Sequence, residues 1–148
     1  MAKNSKKKIE IYTDGGARGN PGPAALGVVI GAPLNKSYSE FLGKKTNNEA
    51  EYEAVAFALK KLKSLLGKDN VKDLEVEVFM DSDLAVNQLN HKYKVESENI
   101  IPIFIKIHNL RLDYGKVHFT HVPREKNKDA DKMVNIELDK QAGGSSLF

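Results

Sequence analysis

Five short segments of the chain carry apolar residues that alternate with polar ones or run together between turn residues, which is the pattern of β-strands. The predicted strands are residues 9–13, 24–32, 37–42, 74–80 and 117–122. The first three follow one another through short turns that contain glycine or proline, so they are expected to form an antiparallel meander. The fourth comes after a helix, which favours a parallel pairing with an earlier strand through a right-handed crossover.

Four other segments repeat apolar residues at the spacing of one helix face. The predicted helices are residues 48–66, 83–89, about 98–112, and a last one that begins after Asn127. The polar residues suited to cap these helices are Asn48, Ser82, Ser97 and Asn127. The order β-β-β-α-β-α-α-β-α predicts an α/β protein (α+β mixed), with a five-stranded mixed sheet and helices on both faces.

Length and composition favour one domain without disulfides. The chain has 148 residues, 41% of them hydrophobic, and a net charge of +3, which permits a phosphate-rich partner without establishing one. We expect a flexible basic N-terminus at residues 1–8, the folded domain at residues 9–142 and a flexible tail at residues 143–148. The absence of cysteine excludes thiolate chemistry and favours a cytoplasmic location. No apolar run approaches the roughly 20 residues of a membrane span, so no membrane partner is expected.

Four acidic residues stand where a carboxylate is costly to keep charged. Asp14 and Asp81 each end a predicted strand. Glu51 shares the apolar stripe of the helix at residues 48–66, and Asp131 lies beside the apolar stripe of the last helix. Buried carboxylates without a cation are unfavourable, so the pattern indicates a divalent metal site and a metal-dependent enzyme. Turn formation or helix capping is the simpler alternative for each acid alone, but it accounts poorly for Glu51 and Asp131.

A segment rich in glycine and proline, residues 14–23, directly follows the first strand. It is either an ordinary hairpin loop or a place where backbone amides approach a phosphate or a sugar, with Asn20 as a further donor and acceptor. The segment lacks the glycine spacing of a dinucleotide site, and residues 43–46 lack the upstream glycine of a P-loop. The chain also lacks a Gly-x-Ser-x-Gly motif, so neither a nucleotide cofactor nor serine hydrolase chemistry is expected.

Together, the segments 13–23, 46–51, 80–82 and 121–131 resemble the motifs of type 1 ribonuclease H (ribonuclease HI), in that family's order. The resemblance covers the chain from about Ile9 to Ala142 and is nearest to the compact archaeal-like members. It implies the ribonuclease H-like fold and an endoribonuclease that hydrolyses the RNA strand of RNA–DNA hybrids to 5′-phosphate products by a two-metal-ion mechanism. It implies two Mg²⁺ ions, for which Mn²⁺ can substitute. The acidic quartet of the family falls on Asp14, Glu51, Asp81 and Asp131.

The resemblance also implies contacts with the substrate and a monomer bound to an RNA–DNA hybrid. The matching positions are Gly15, Gly16, Asn20, Asn47, Asn48 and Ser82. Arg124 stands near the place where many bacterial members have a loop histidine, so no histidine role is assigned. The basic handle of some bacterial members is absent, and Lys92 and Lys94 are the cations of the short segment at residues 90–97. These cations and Arg124 are expected to contact phosphates.

Three other functions stay open. One is a nuclease of the same fold that acts on double-stranded RNA, as some archaeal-like members also do, or on another nucleic acid. Another is a non-catalytic hybrid-binding module, whose expected sign is the loss of one or more acids, whereas all four are present. The third is a structural domain whose acids only cap helices. A panel of hybrid, duplex and single-stranded substrates, tested with and without EDTA, separates these alternatives.

Overall fold

A five-stranded sheet forms the centre of the computed structural model, which describes residues 7–146. The strands are β1 (Lys8–Ala17), β2 (Gly22–Ile30), β3 (Lys36–Lys45), β4 (Glu75–Met80) and β5 (Lys116–His121). The helices are α1 (Asn47–Leu66), α2 (Lys68–Val71), α3 (Asp83–Leu89), α4 (Ile101–Arg111) and α5 (Lys128–Ser146). The predicted order of elements is confirmed, and the single-turn helix α2 is an addition to it. None of the helices in residues 7–146 is long and apolar enough to cross a bilayer.

The sheet is mixed, with the strands in the order β3-β2-β1-β4-β5. β1 pairs antiparallel with β2, and β2 with β3, which confirms the predicted meander. β4 pairs parallel with β1, and β5 pairs parallel with β4. Because parallel strands end at the same edge of a sheet, the carboxyl ends of β1 and β4 lie side by side.

Helices cover both faces of the sheet, as predicted. Successive residues of a strand point to opposite faces, and β2 shows this clearly. Leu26 lies in the larger core cluster, to which α1 contributes Tyr52. Its neighbour Ala25 packs instead with Val134 and Leu138 of α5 in a second cluster. The helices α1 and α5 therefore lie on opposite sides of β2.

The start of α5 lies very close to β2 because β2 has a glycine at the contact. A Cβ atom added at Gly27 would be 2.3 Å from the carbonyl oxygen of Ala130 and 2.9 Å from the Cβ of Met133. Any side chain there would push α5 away from the sheet. Gly27 thus allows the first turn of α5, which carries Asp131, to pack directly on the strands.

The predictions for the residues that cap the N-termini of α1 and α3 have different outcomes. The hydroxyl of Thr46 accepts from the N–H of Glu49 at 3.1 Å, and the Glu49 carboxylate accepts from the N–H of Thr46 at 2.9 Å. This capping box makes Thr46 the cap, so the prediction for Asn48 is wrong. The prediction for Ser82 is confirmed, since its hydroxyl accepts from the N–H of Ala85 at 3.2 Å.

Helix α4 begins later, and helix α5 ends later, than the sequence pattern predicts. No side chain within residues 7–146 caps α4, and the N–H groups of Ile100, at the cap position, and Ile101 donate to the main-chain carbonyl of Ser97, so a cap by the Ser97 hydroxyl is wrong. Residues 143–146, which the sequence assigns to a flexible tail, continue α5 as helix. The rest of that tail, residues 147–148, and residues 1–6 of the expected N-terminal segment lie outside the described residues.

Candidate active site

Three of the predicted acids come from separate elements and meet at the carboxyl edge of the sheet. Asp14 lies in β1, Asp81 directly follows β4, and Glu51 lies in α1. One carboxylate oxygen from each residue lies within 4.8 Å of the other two. Asp131, in the first turn of α5, lines the same cleft, and its carboxyl group interacts with that of Asp14. The fold therefore brings together four acids that are far apart in the sequence.

The approach of β1 to α1 depends on Gly15. A Cβ atom at this position would lie 2.2 Å from the carbonyl carbon and oxygen of Ala50 and 2.5 Å from the nitrogen of Glu51. These are main-chain atoms of a helix, so they cannot move aside as a side chain can. The missing side chain of Gly15 lets the backbone of β1 touch α1, and this contact holds Asp14 beside Glu51.

Burial and mutual repulsion make the ionised cluster unfavourable. The pKa of Asp14 is raised to about 8, mainly by burial and then by the charges of Asp81, Glu51 and Asp131, in that order of importance. Asp14 is only 9% exposed, so water screens this repulsion weakly. Buried acids with strongly raised pKa values are frequent at functional sites.

Glu51 is perturbed in the same direction, but two neighbours oppose the effect. Burial is the main cause that raises its pKa to about 7, and the charge of Asp81 adds to it. A hydrogen bond with the Ser82 side chain and the positive charge of Arg124 both act to lower the pKa. Arg124 is exposed, so this cation offsets only part of the negative charge of the cluster.

The donor atoms of the cluster fit a hard divalent cation. Each of Asp14, Glu51 and Asp81 offers a carboxylate oxygen, and neither histidine nor cysteine belongs to the group. Oxygen ligands of this kind suit Mg²⁺, Mn²⁺ or Ca²⁺ better than zinc, which prefers nitrogen and sulfur. A bound cation would also remove the repulsion that raises the pKa values, so the chemistry of the residues and their electrostatics agree.

The acids line an open cleft with a volume of about 400 Å³. Four of the predicted substrate contacts line it too: Gly15, Gly16, Asn47 and Arg124. Ser82 is next to the cleft through its hydrogen bond with Glu51. Asn20 reaches it through Asn47, whose N–H donates to the Asn20 Oδ1 at 2.9 Å. Asn48 does not line the cleft and is half-buried in the first turn of α1.

The side chain of Asn47 fastens the β1–β2 hairpin to the start of α1. Its Oδ1 accepts from the N–H of Ala17 at 2.8 Å, while its own main-chain N–H binds Asn20 on the other side of the hairpin. Both bonds cross from α1 to the same turn. The glycine-rich segment is therefore held in a fixed position at the rim of the cleft, as the prediction of a structured loop requires.

Two polar residues at the wall of the cleft do not stand out in the sequence. The Nη2 of Arg18 donates to the Oδ1 of Asp139 at 2.7 Å and to the Oδ1 of Asn135 at 3.4 Å. The Nδ2 of Asn135 donates to the main-chain carbonyl of Asp131 at 3.1 Å. The spacing of four residues between Asp131 and Asn135 on one helix could have indicated this contact. The bond from Arg18 depends on the tertiary fold and leaves no such signal.

The structure assigns Asn127 a role that differs from the predicted one. The sequence predicts it as the cap of α5, but its Oδ1 accepts no hydrogen bond from the described residues. Its Nδ2 instead donates to the main-chain carbonyl of Thr13 at 2.9 Å and to the Oδ2 of Asp81 at 3.2 Å. The cap prediction is wrong because the side chain points toward the acids and away from the helix end.

Known proteins resemble the chain in both sequence and structure. A family model described as reverse transcriptase-like matches residues 12–136. The structure of LC11-RNase H1 in complex with an RNA/DNA hybrid has a TM-score of 0.84 and 46% sequence identity, over 90% of this chain and 99% of that one. The "Ribonuclease HI" of Halobacterium salinarum is 32% identical over 135 residues, 89% of this chain. The "Bifunctional protein Rv2228c" of Mycobacterium tuberculosis is 31% identical over 142 residues, 91% of this chain.

The chain spans 65% of the length of the halobacterial relative and 36% of the length of the mycobacterial one. The family model covers most of the described residues, and it includes all four acids of the cleft. The resemblance that the sequence motifs indicate is therefore confirmed, and so is the fold that it implies. The chain belongs to the type 1 ribonuclease H family.

Proposed function

We propose that the chain is an endoribonuclease that hydrolyses the RNA strand of RNA–DNA hybrids, leaves 5′-phosphate products and uses two Mg²⁺ ions, for which Mn²⁺ can substitute. The observation that carries the proposal is the meeting of carboxylates from β1, from α1 and from the residue after β4 within 4.8 Å of one another. The cleft around them is open, as the binding of a nucleic acid requires. A closed pocket would instead suit a small cofactor. The hybrid bound in the related LC11-RNase H1 structure supports the same substrate class.

The four acids would hold the metal ions. Asp14 has the charges of the other three acids around it and would be the shared ligand, with Glu51 and Asp81 on one ion and Asp131 on the other. When bound, the ions would neutralise phosphate charge and lower the pKa of a water molecule that attacks the phosphodiester. The protein holds its carboxylates in place beforehand, because they come from packed strands and helices.

Selectivity for RNA would come from groups that recognise a 2′-hydroxyl. A hydroxyl both donates and accepts, so backbone amides and carbonyls at Gly15 and Gly16 suit it, as do the polar side chains of Asn20, Asn47 and Ser82. Gly16 lines the cleft with only two atoms within 4 Å of where its Cβ would lie, so a sugar can come close to the backbone there.

Exposed cations would hold the phosphates of the hybrid. Arg124 lines the cleft, and Lys92 and Lys94 are exposed on the segment between α3 and α4. Contacts of this kind carry little sequence information and weaken as the salt concentration rises. The proposal also includes a monomeric enzyme and a cytoplasmic location, the latter supported by the absence of cysteine.

The test is a cleavage assay with labelled RNA–DNA hybrid, double-stranded RNA, double-stranded DNA and the single strands, each with Mg²⁺ and with EDTA. We expect cleavage of the RNA strand in the hybrid, which EDTA and the substitution Asp14→Asn abolish. Asp83→Asn, which removes an exposed acid outside the cleft, is the matched control and should leave the rate unchanged. Full activity of Asp14→Asn would contradict the metal assignment, and equal cleavage of duplex RNA would favour the alternative substrate.

A further inference from the structure

We infer that Asn127 is a positioning residue that orients Asp81 for metal binding. The inference deepens the proposed function and rests on it. Asn127 precedes α5 and is completely buried, with 0% of its surface exposed. Its side-chain amide donates to the Asp81 Oδ2 at 3.2 Å and to the carbonyl oxygen of Thr13, the residue before Asp14, at 2.9 Å. One side chain thus joins the start of α5 to the ends of β1 and β4.

The orientation of the amide follows from its neighbours. The amide faces a main-chain carbonyl and a carboxylate. The carbonyl oxygen can only accept a hydrogen bond, and so can the carboxylate when it is ionised. A flipped amide would place the Asn127 Oδ1 against two other oxygens, so the –NH₂ group must point toward Asp81 and Thr13. The two N–H donors of a planar amide have fixed directions, and both are used here. The Oδ2 of Asp81 is therefore held by a rigid donor.

The contact extends to a third acid through the main chain. The N–H of Asp131 donates to the carbonyl oxygen of Asn127 at 3.1 Å, which fixes the first turn of α5 relative to Asn127. The same residue therefore touches Asp81 directly, Asp131 through the backbone, and the strand residue next to Asp14. A displacement of Asn127 would disturb the spacing of three of the four acids at once.

A purely structural role explains the geometry less well. The Asn127 Oδ1 and the Thr13 Oγ1 are buried and have no partner among the described residues. An unpaired buried oxygen is unfavourable, and an apolar side chain of similar size would avoid this cost. An apolar side chain would, however, lack the N–H donors that bind Asp81 and Thr13. Outer partners of metal ligands act in this way, and their loss commonly weakens metal affinity by about 10- to 100-fold.

The experiment titrates EDTA-treated protein with Mn²⁺ alone in a calorimeter, without substrate. The proteins compared are the unmodified chain, Asn127→Leu and Asn90→Ala. Asn90 is the matched control, because its amide donates to a strand carbonyl, that of Phe119, at 3.0 Å but lies outside the cleft. We expect both variants to melt at a lower temperature. Only Asn127→Leu should bind Mn²⁺ about tenfold or more weakly.

The cleavage activity of the same variants is a second measurement. Asn127→Leu should need more Mg²⁺ for half-maximal cleavage of the hybrid, while its KM for the hybrid stays unchanged. Mn²⁺ affinity equal to that of the unmodified chain would overturn the inference and leave the proposed function intact. If the unmodified chain neither binds Mn²⁺ nor cleaves the hybrid, the proposed function fails, and the inference fails with it.

Asn127 is fully buried, so a test on the unmodified protein is needed in case the leucine variant does not fold. The side-chain amide signals of ¹⁵N-labelled protein are followed during a Mg²⁺ titration. Because the Asn127 amide is bonded to Asp81, we expect its signal to shift until the metal sites are saturated, while that of Asn90 stays in place. An Asn127 signal that does not move at saturating Mg²⁺ would overturn the inference.

Discussion

The substitution Asp14→Asn is expected to abolish cleavage and, in the absence of divalent cations, to make the protein more stable. Asp14 is buried, and the charges of three other acids surround it. Asparagine has nearly the same size and carries no charge. The substitution therefore removes repulsion from the metal-free site without leaving a cavity.

The size of the effect follows from the raised pKa. The pKa of Asp14 is 3.8 in an unfolded chain and about 8 in the folded protein. Because the folded pKa is the higher one, the folded state binds more protons, and stability falls as the pH rises from about 4 to about 8. Each unit of difference corresponds to about 1.4 kcal/mol, which sets an upper limit of about 6 kcal/mol. Since the neighbouring acids can also take up protons, we expect a gain of about 2 to 4 kcal/mol at pH 8.

The assay is thermal unfolding in EDTA at pH 4, 5.5 and 8. For a chain of this length, about 3 kcal/mol corresponds to roughly 6 to 12 °C in the melting temperature. The gain of Asp14→Asn over the unmodified chain should be largest at pH 8, smaller at pH 5.5 and close to zero at pH 4. The control Asp83→Asn changes the net charge equally, but Asp83 is exposed, so no gain is expected.

Metal ions should reverse the order of stability. Mg²⁺ or Mn²⁺ is expected to raise the melting temperature of the unmodified chain more than that of Asp14→Asn, because only the former keeps the carboxylate that we propose as the shared ligand. A melting temperature of Asp14→Asn at or below that of the unmodified chain in EDTA at pH 8 would refute the reasoning. A gain that is the same at all three pH values would also refute it.

Four further substitutions test the packing, a buried hydrogen bond and the electrostatics. Gly15→Ala should lower the free energy of unfolding by about 3 kcal/mol, because the new Cβ would lie 2.2 Å from the α1 backbone. Gly16→Ala meets its nearest atom at 3.7 Å and should change that free energy by less than about 1 kcal/mol in urea unfolding. Tyr114→Phe removes a buried hydroxyl that donates to the carbonyl of Leu59, and urea unfolding should show a loss of about 1 to 2 kcal/mol; an unchanged midpoint would show that the bond adds nothing. Arg124→Ala should reduce the slope of log binding constant against log salt for the hybrid by about 1, measured by anisotropy in EDTA, and an unchanged slope would remove Arg124 from the phosphate contacts.

Local sequence patterns were sufficient to predict the strands, most of the helices and the mixed sheet. Alternating burial in β4 and the long apolar stripe of α1 are strong signals, because burial of one face determines the identity of every second or every third to fourth residue. The four acids were found for the same reason. Asp14 and Asp81 each end a predicted strand, Asp131 lies beside an apolar helix stripe, and Glu51 interrupts such a stripe.

Helix ends were harder to predict, because several polar residues compete for each cap. Thr46 and Asn48 are both good cap residues, and the reciprocal bonds with Glu49 favour Thr46. Ser97 has the right side chain, but α4 starts three residues later, with Ile100 at its cap position. These errors displace the helix starts by only a few residues and leave the fold unchanged.

The role of Asn127 could not be predicted, because it depends on groups that are distant in the sequence. An asparagine before a helix usually accepts a hydrogen bond from the helix, and nothing in the local sequence argues against that role here. The partners of its amide are Thr13 and Asp81, which lie 114 and 46 residues away. They become neighbours of Asn127 only because β1 and β4 are parallel and Asn127 directly precedes α5, which packs against β1. The same topology assembles the four acids, so the site and its supporting residue follow from one feature of the sheet.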